Sequence, residues 1–157
     1  RGAAGAHESA EAFAALSPRA YEGNNPVLDA VASGQVAIGV INHYYWYERV
    51  AERRGDAVSA RIHFLGADDP GALVNVAGVG VLAGSDAEQS ALAAVEFLLS
   101  DQAQQYFADA TAEYPVVDGV TTTVHDLAPL AEALAIDLNS LDSLAETLAL
   151  LDEVGLT

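Results

Sequence analysis

The sequence predicts an α/β fold, because apolar segments of strand length alternate along the chain with amphipathic segments of helical period. The run QVAIGVI at residues 35–41 is almost wholly apolar and contains β-branched residues, as a strand buried on both faces does. Residues 85–100 repeat apolar side chains at helical spacing, directly after a second β-rich stretch. With 157 residues and a hydrophobic fraction of 52%, the chain is large enough to bury a core.

The N-terminal part of the chain predicts two helices before the first strand. Residues 5–16 are rich in alanine and predict a helix that Ser17 and Pro18 end. Residues 25–34 predict a short helix, for which Gly34 is the stop signal.

Strands and helices are then predicted to alternate. The strand at 35–41 leads into residues 45–55, an amphipathic segment that ends in arginines and a glycine, as a helix C-terminus does. Residues 60–66 alternate as a strand does, and residues 72–84 predict a long strand or a pair of strands.

The second half of the chain is predicted to be largely helical. Residues 85–100 begin with Ser85 as the N-cap and with early acids, both of which favour a helix N-terminus. Residues 101–111 predict a further helix. Residues 112–120 contain a proline and predict an extended segment, whereas residues 126–157 are mostly helical in pattern.

Composition excludes several classes of function. The formal net charge is −17 and all six basic residues are arginine, so nucleic acid and anionic membranes are repelled while cations are favoured. Acidity also serves solubility, so the charge alone does not indicate a metal. The absence of cysteine excludes disulfides and thiolate sites. No nucleophile elbow or nucleotide-binding glycine loop is present, so we predict no enzyme. There is no methionine, and we expect any export signal to lie outside this chain.

The segment Tyr-Tyr-Trp-Tyr at residues 44–47 lies at the C-terminal end of the first predicted strand, which is the usual ligand position in open α/β sheets. In a strand, Tyr44 and Tyr45 would point to opposite faces, whereas a strand end that enters a helix can bring their oxygens together. Two converging phenols indicate a hard, highly charged cation. Packing of Tyr44 and Tyr47 in a core, or stacking of the rings on a ligand, are alternative interpretations of the same pattern.

Histidines outside this segment indicate no metal site. His7, His63 and His125 are scattered without the spacing of metal ligands, and we expect surface or core roles for them.

Several longer stretches are together characteristic of one family. They are NNPVLDAVASGQVAIGVINHYYWY, DDPGALVNVAGVGVL, VEFLLSDQAQQYFADATAEYPVVDGV and the closing LAPLAEAL…LDSLAETLALLDEVGL. In this order they resemble the ferric-iron-binding substrate-binding proteins of bacterial ABC transporters, over nearly the whole chain. The adjacent tyrosines in their N-x-Y-Y-W context are the most specific part of the resemblance.

The resemblance implies a periplasmic-binding-protein fold of type II, in which two lobes close over a ligand by a hinge. By that analogy, residues 1–74 belong to the C-terminal lobe, residues 75–125 cross over to complete the N-terminal lobe, and residues 126–157 return as helices. The chain would then be the C-terminal half of a longer binding protein, with the upstream half of the same protein as its partner.

The resemblance also implies a ligand set. Tyr44 and Tyr45 correspond to the tyrosine ligands of Fe³⁺, and Asn24 and Asn42 correspond to contacts of a synergistic anion, either phosphate or carbonate. The remaining ligands belong to upstream segments. His43 stands where asparagine is more usual, and we expect its side chain to face away from the metal.

The implied function is extracytoplasmic capture of ferric iron, in the periplasm or at the cell surface, for delivery to an ABC-transporter permease. Two alternatives stay open. One is a substrate-binding protein for an organic anion, a polyamine or a thiamine-like molecule. The other is a structural fragment without its own ligand, which self-associates through apolar surface that the missing half would cover.

Overall fold

The computed structural model describes residues 2–53, 58–66, 69, 71–72, 74–127 and 144–157. The helices in these residues are α1 (Gly2–Ala15), α2 (Asn24–Ala32), α3 (Tyr44–Glu52), α4 (Glu88–Leu98), α5 (Asp101–Ala110) and α6 (Leu144–Glu153). Each falls within or across a segment that the sequence predicts to be helical, so those predictions are confirmed. The predicted helical residues 128–143 lie outside the described residues. None of the described helices has the length and apolar character that crossing a membrane requires.

The chain divides into two compact units, Arg1–Glu22 with Ala135–Thr157, and Gly23–Leu134. In the first unit α1 lies against α6, and the His7 imidazole is 3.5 Å from the Glu153 carboxylate. This pair is largely exposed and stabilises the contact little. The lobe boundaries expected from the sequence stay a prediction.

Helices α2 and α3 form the part of the second unit that positions the aromatic segment. Leu28 and Ala30 of α2 and Tyr47 of α3 are buried. Gly34 ends α2 with a φ of 76°, in the left-handed region that favours glycine. The chain then returns from α2 to the start of α3.

Helices α4 and α5 form a corner at Ser100. The Ser100 hydroxyl accepts a hydrogen bond from the backbone N–H of Ala103 at 3.3 Å and so caps α5. The buried Gln104 donates through Nε2 to the Leu98 carbonyl at 2.8 Å and accepts at Oε1 from the Val116 N–H at 2.9 Å. Gln104 therefore holds the segment after α5 against the corner.

The segments predicted to be strands have no hydrogen-bonded partner strand among the described residues. In the described part of the chain, residues 35–41, 60–66 and 72–84 form no strand ladder. Ile38 and Val40, which a buried strand would cover, are 84% and 82% exposed. A helix closes its backbone hydrogen bonds within itself, whereas a strand needs a neighbour. The apolar pattern alone does not supply that neighbour.

Candidate cation site at the start of helix α3

The aromatic segment opens a helix. The first backbone hydrogen bonds of the turn run from Tyr45 N–H to the Asn42 carbonyl at 3.4 Å and from Trp46 N–H to the His43 carbonyl at 3.1 Å. His43 already has a helical conformation, with φ −58° and ψ −38°. Of the two geometries considered from the sequence, the helical turn is the one observed for Tyr44 and Tyr45.

Tyr44 and Tyr45 lie side by side. Their ring centroids are 4.6 Å apart with an interplanar angle of 34°. Both side chains are half-buried, so neither hydroxyl is sealed in a core. The two rings thus lie together at the start of α3, and the convergence of their oxygens on a cation stays a prediction.

Trp46 and Tyr47 serve the packing of the same helix. The Trp46 indole N–H donates to the Ala60 carbonyl at 3.0 Å, and the Tyr47 hydroxyl donates to the Asp126 carbonyl at 2.7 Å. The two rings meet edge to face at 5.1 Å. The four aromatic residues thus divide into a half-exposed pair and an anchoring pair.

The environment of Tyr44 favours its neutral form. Burial raises the pKa of Tyr44 above its usual value, and the neighbouring Tyr45 and the charges of Glu113 and Glu48 raise the pKa further. A cation that binds the Tyr44 phenolate must therefore displace a proton.

Asn24 and Asn42 are neighbours in the structure. The Asn24 Oδ1 atom accepts a hydrogen bond from the backbone N–H of Asn42 at 2.8 Å. Asn24 is the first residue of α2 and Asn42 lies two residues before α3. The contact joins the beginnings of the two helices, and Asn42 lies two residues before Tyr44. Their role toward an anion stays a prediction.

His43 packs among aromatic rings. Its Nε2–H donates to the Ala112 carbonyl at 2.8 Å, since a carbonyl can only accept. Its ring lies 5.1 Å from Tyr114 and 5.7 Å from Tyr44. The imidazole therefore connects the start of α3 to the turn after α5.

Glu113 is a neighbour of the tyrosine pair that the sequence did not single out. Its side chain is half-buried, and its Oε2 atom shares the single proton of the Thr111 hydroxyl, at 2.8 Å, with the Phe107 carbonyl at 2.7 Å. The charge of Glu113 contributes to the raised pKa of Tyr44. Glu113 is far from Tyr44 in sequence, and no local pattern connects the two residues.

Tyr44, Tyr45 and Asn42 place phenol and amide oxygen atoms at the start of α3. Among the described residues, no group of three or more His, Asp and Glu side chains is arranged to hold a metal ion. The His125 Nε2–H donates to the Asp109 carbonyl at 2.9 Å, and the His125 ring lies 5.5 Å from the Tyr47 ring. Phenol, carboxyl and amide oxygens suit hard cations.

Residues 1–143 match the profile of the bacterial extracellular solute-binding proteins. The chain belongs to that family. Membership implies the periplasmic-binding-protein fold for this solute-binding protein.

Curated relatives of this solute-binding protein are named for iron. The chain is 33% identical over 138 residues to the major ferric iron-binding protein of Neisseria meningitidis serogroup B, which covers 87% of this chain and 41% of the relative. It is 35% identical over 140 residues to the Fe(3+)-binding periplasmic protein of Serratia marcescens, and this match covers 87% of this chain and 41% of that relative. It is 34% identical over 146 residues to iron uptake protein A1 of Synechocystis, and this match covers 89% of this chain and 40% of that relative. The chain thus spans about two-fifths of the length of these relatives.

Proposed function

We propose that this chain supplies the tyrosine part of a ferric-iron site in an extracytoplasmic substrate-binding protein. The observation that carries the proposal is the side-by-side placement of Tyr44 and Tyr45, with ring centroids 4.6 Å apart. Relatives whose names state ferric-iron binding support iron as the cargo. The protein would act in the periplasm or at the cell surface and deliver iron to an ABC-transporter permease.

The chemistry of the pair suits a trivalent cation. Two phenolates leave one positive charge on a ferric ion, and phenolate oxygen matches a hard cation. A synergistic anion, phosphate or carbonate, would fill the open positions and lie near Asn24 and Asn42. Asn24 uses its oxygen toward Asn42, and its amide N–H groups are donors suited to an anion. We propose binding and release, without a catalysed reaction.

We propose that upstream residues of the same protein complete the site. The relatives are longer than this chain, and apolar side chains that a second lobe would cover are exposed, among them Ile38, Val40 and Leu82. The 157-residue chain on its own is therefore expected to self-associate. Light scattering that shows a monodisperse monomer, with no second polypeptide present, would contradict this expectation.

The alternative cargoes are organic anions, polyamines and thiamine-like molecules. Within the described part of the chain, Trp46 makes packing contacts: its indole N–H donates to the Ala60 carbonyl and its ring lies against Tyr47. These contacts do not favour a ring-stacking ligand. A thermal-shift panel separates these ligands from iron, because a ligand raises the unfolding temperature only of a protein that binds it.

The test of the proposed function is a ferric titration of the full-length protein that contains this chain. We expect a visible tyrosinate-to-iron absorbance band that Tyr44→Phe and Tyr45→Phe each weaken and that the double variant abolishes. Tyr106→Phe is the matched control, because Tyr106 is 65% exposed on α5 and its loss of a hydroxyl leaves the site intact. A wild-type protein without the band would overturn the proposal.

A further inference from the structure

His43 links the turn that follows α5 to the tyrosine pair by two contacts of different kinds. Its Nε2–H donates to the Ala112 carbonyl at 2.8 Å. Its ring meets the Tyr44 ring edge to face, with centroids 5.7 Å apart and an interplanar angle of 78°. The Tyr44 ring in turn lies 4.6 Å from the Tyr45 ring. A chain of direct contacts therefore runs from the Ala112 carbonyl through His43 to both tyrosines.

The Ala112 carbonyl is a fixed point of attachment. Ala112 is 1% exposed and has a φ of 57°, in the left-handed region that alanine seldom adopts. The next residue, Glu113, donates its N–H to the Phe107 carbonyl at 3.4 Å. The Val116 N–H donates to the Gln104 side chain at 2.9 Å. Both bonds hold the turn against α5, so the carbonyl that accepts from His43 has a defined direction.

The His43 imidazole is itself held among aromatic rings. Its centroid lies 5.1 Å from that of Tyr114, 6.1 Å from that of Phe64 and 6.3 Å from that of Tyr47. Tyr47 is buried on the same helix. With rings around it and a hydrogen bond at Nε2, the imidazole has few alternative rotamers and presents a firm surface to Tyr44.

We propose that His43 is a positioning residue of the tyrosine pair: fixed on the Ala112 carbonyl, its imidazole sets the orientation of the Tyr44 ring against Tyr45 before iron binds. This inference rests on the proposed function, because the ring that His43 positions is a proposed iron ligand. The phenol oxygen lies at the far end of its ring, so a small rotation of the side chain displaces the oxygen by a larger distance. Donors that already have the orientation of the bound state bind without the cost of ordering them.

The test separates the two contacts of His43 in the full-length protein that contains this chain. His43→Gln keeps an N–H donor for the Ala112 carbonyl but removes the ring. His43→Phe keeps a ring beside Tyr44 but removes the donor, and His43→Ala removes both.

The matched control is His125→Gln. His125 makes the same two kinds of contact, because its Nε2–H donates to the Asp109 carbonyl at 2.9 Å and its ring meets the Tyr47 ring edge to face at 5.5 Å. Tyr47 belongs to the anchoring pair and not to the proposed ligands. His125→Gln therefore loosens the packing of α3 without touching Tyr44.

The first measurement needs no iron. Ring-labelled tyrosine gives NMR signals, and those of Tyr45 are assigned by their loss in Tyr45→Phe. The Tyr45 signals report the position of Tyr44, because an aromatic ring at 4.6 Å shifts the signals of the protons beside it. We expect these signals to move in all three His43 variants, most in His43→Ala, and to stay in place in His125→Gln.

The second measurement is the ferric titration. We expect His43→Ala to weaken iron binding by about tenfold and to shift the tyrosinate-to-iron band, and His43→Gln and His43→Phe to weaken binding by about threefold each. His125→Gln should lower the unfolding temperature of the iron-free protein, as the His43 variants do, but should leave the affinity within about twofold and the band in place.

The outcomes separate this inference from the function on which it rests. Tyr45 signals that stay in place in His43→Ala overturn the positioning role of His43. Equal effects of His43→Gln and His125→Gln on these signals and on the affinity also overturn it, because they indicate only a general loosening of α3. A wild-type protein without the tyrosinate-to-iron band overturns the proposed function, whereas the Tyr45 signals of the iron-free protein still decide whether His43 positions Tyr44.

Discussion

The Oδ1 atom of Asn24 accepts a hydrogen bond from the backbone N–H of Asn42 at 2.8 Å. This single contact joins the first residue of α2 to the residue two positions before α3. Because Tyr44 begins α3, the contact also fixes the origin of the turn that brings the two phenols together. Its contribution to stability and its proposed contribution to anion binding can be separated by mutation.

Asn24→Ala is expected to reduce the free energy of unfolding by about 1 kcal/mol, because it leaves the Asn42 N–H without its acceptor. Asn24→Asp retains an acceptor oxygen and should recover most of that loss, as measured by urea denaturation. The aspartate should nevertheless weaken the phosphate dependence of iron binding, because its charge repels an anion. Equal stability of Asn24→Ala and the wild type would show that the contact does not hold the two helices.

Arg49 forms a second connection between α2 and α3. Its guanidinium is 16% exposed and pairs with the Asp29 carboxylate, which is 60% exposed. Because the pair is partly solvated, a double-mutant cycle of Arg49→Gln and Asp29→Asn should give a coupling energy of about 0.5–1 kcal/mol.

The control for this cycle is Glu52, whose carboxylate is 3.7 Å from Arg49 Nε but 73% exposed. A cycle of Arg49→Gln with Glu52→Gln should give a coupling energy near zero. If the Glu52 pair proves as strong as the Asp29 pair, the connection between the helices is not specific to Asp29.

The backbone at Gly39 lies so close to α2 that it leaves no room for a side chain. A β-carbon at Gly39 would collide with Val27 Cγ1 and lie 3.0 Å from Val31 Cγ2. Gly39→Ala is therefore expected to destabilise the protein by about 1–3 kcal/mol in chemical denaturation. Gly78→Ala is the matched control, since a β-carbon there meets nothing within 4 Å and the change should be close to neutral.

Val27→Ala tests the cause of the Gly39 effect. Removing the colliding methyl groups should make the double variant Gly39→Ala/Val27→Ala more stable than the sum of the single changes predicts. Strict additivity would indicate that the cost of Gly39→Ala arises from its backbone conformation and not from the approach to α2.

Local sequence pattern is sufficient to predict the helices and the helical turn that carries Tyr44 and Tyr45. Helices α2 and α3 are encoded by apolar spacing and by Gly34, and Tyr44 and Tyr45 need only one helical turn to meet. The proximity of Glu113 to Tyr44 was not predictable, because it depends on the His43–Ala112 hydrogen bond between residues 69 positions apart. Strand pairing is likewise hard to predict from local sequence, because a strand needs a neighbouring strand that no short window of sequence specifies.

The residue at which a helix begins is also difficult to predict from local sequence. Ser85 was predicted as the cap of the helix that becomes α4, but α4 begins at Glu88. The Ser85 hydroxyl instead accepts a hydrogen bond from the Ala87 N–H at 3.3 Å, two residues on. Serine stabilises a local turn by the same chemistry with which it caps a helix, and the sequence does not distinguish the two.

Iron binding by the full-length protein is expected to release protons and to weaken in acid. The pKa of Tyr44 is raised above its usual value of 10.0, chiefly by burial, so this phenol is protonated at neutral pH. Ferric iron must displace that proton and the proton of Tyr45, so about two protons should leave per iron bound. As the pH falls, the protons compete more strongly and the affinity for iron decreases.

Proton release is measured in weakly buffered solution, with the same ferric chelate alone as the reference. Tyr44→Phe should release about one proton fewer, whereas Tyr106→Phe should match the wild type. An iron affinity that is independent of pH after correction for the chelator would show that the phenols stay protonated and do not bind the metal.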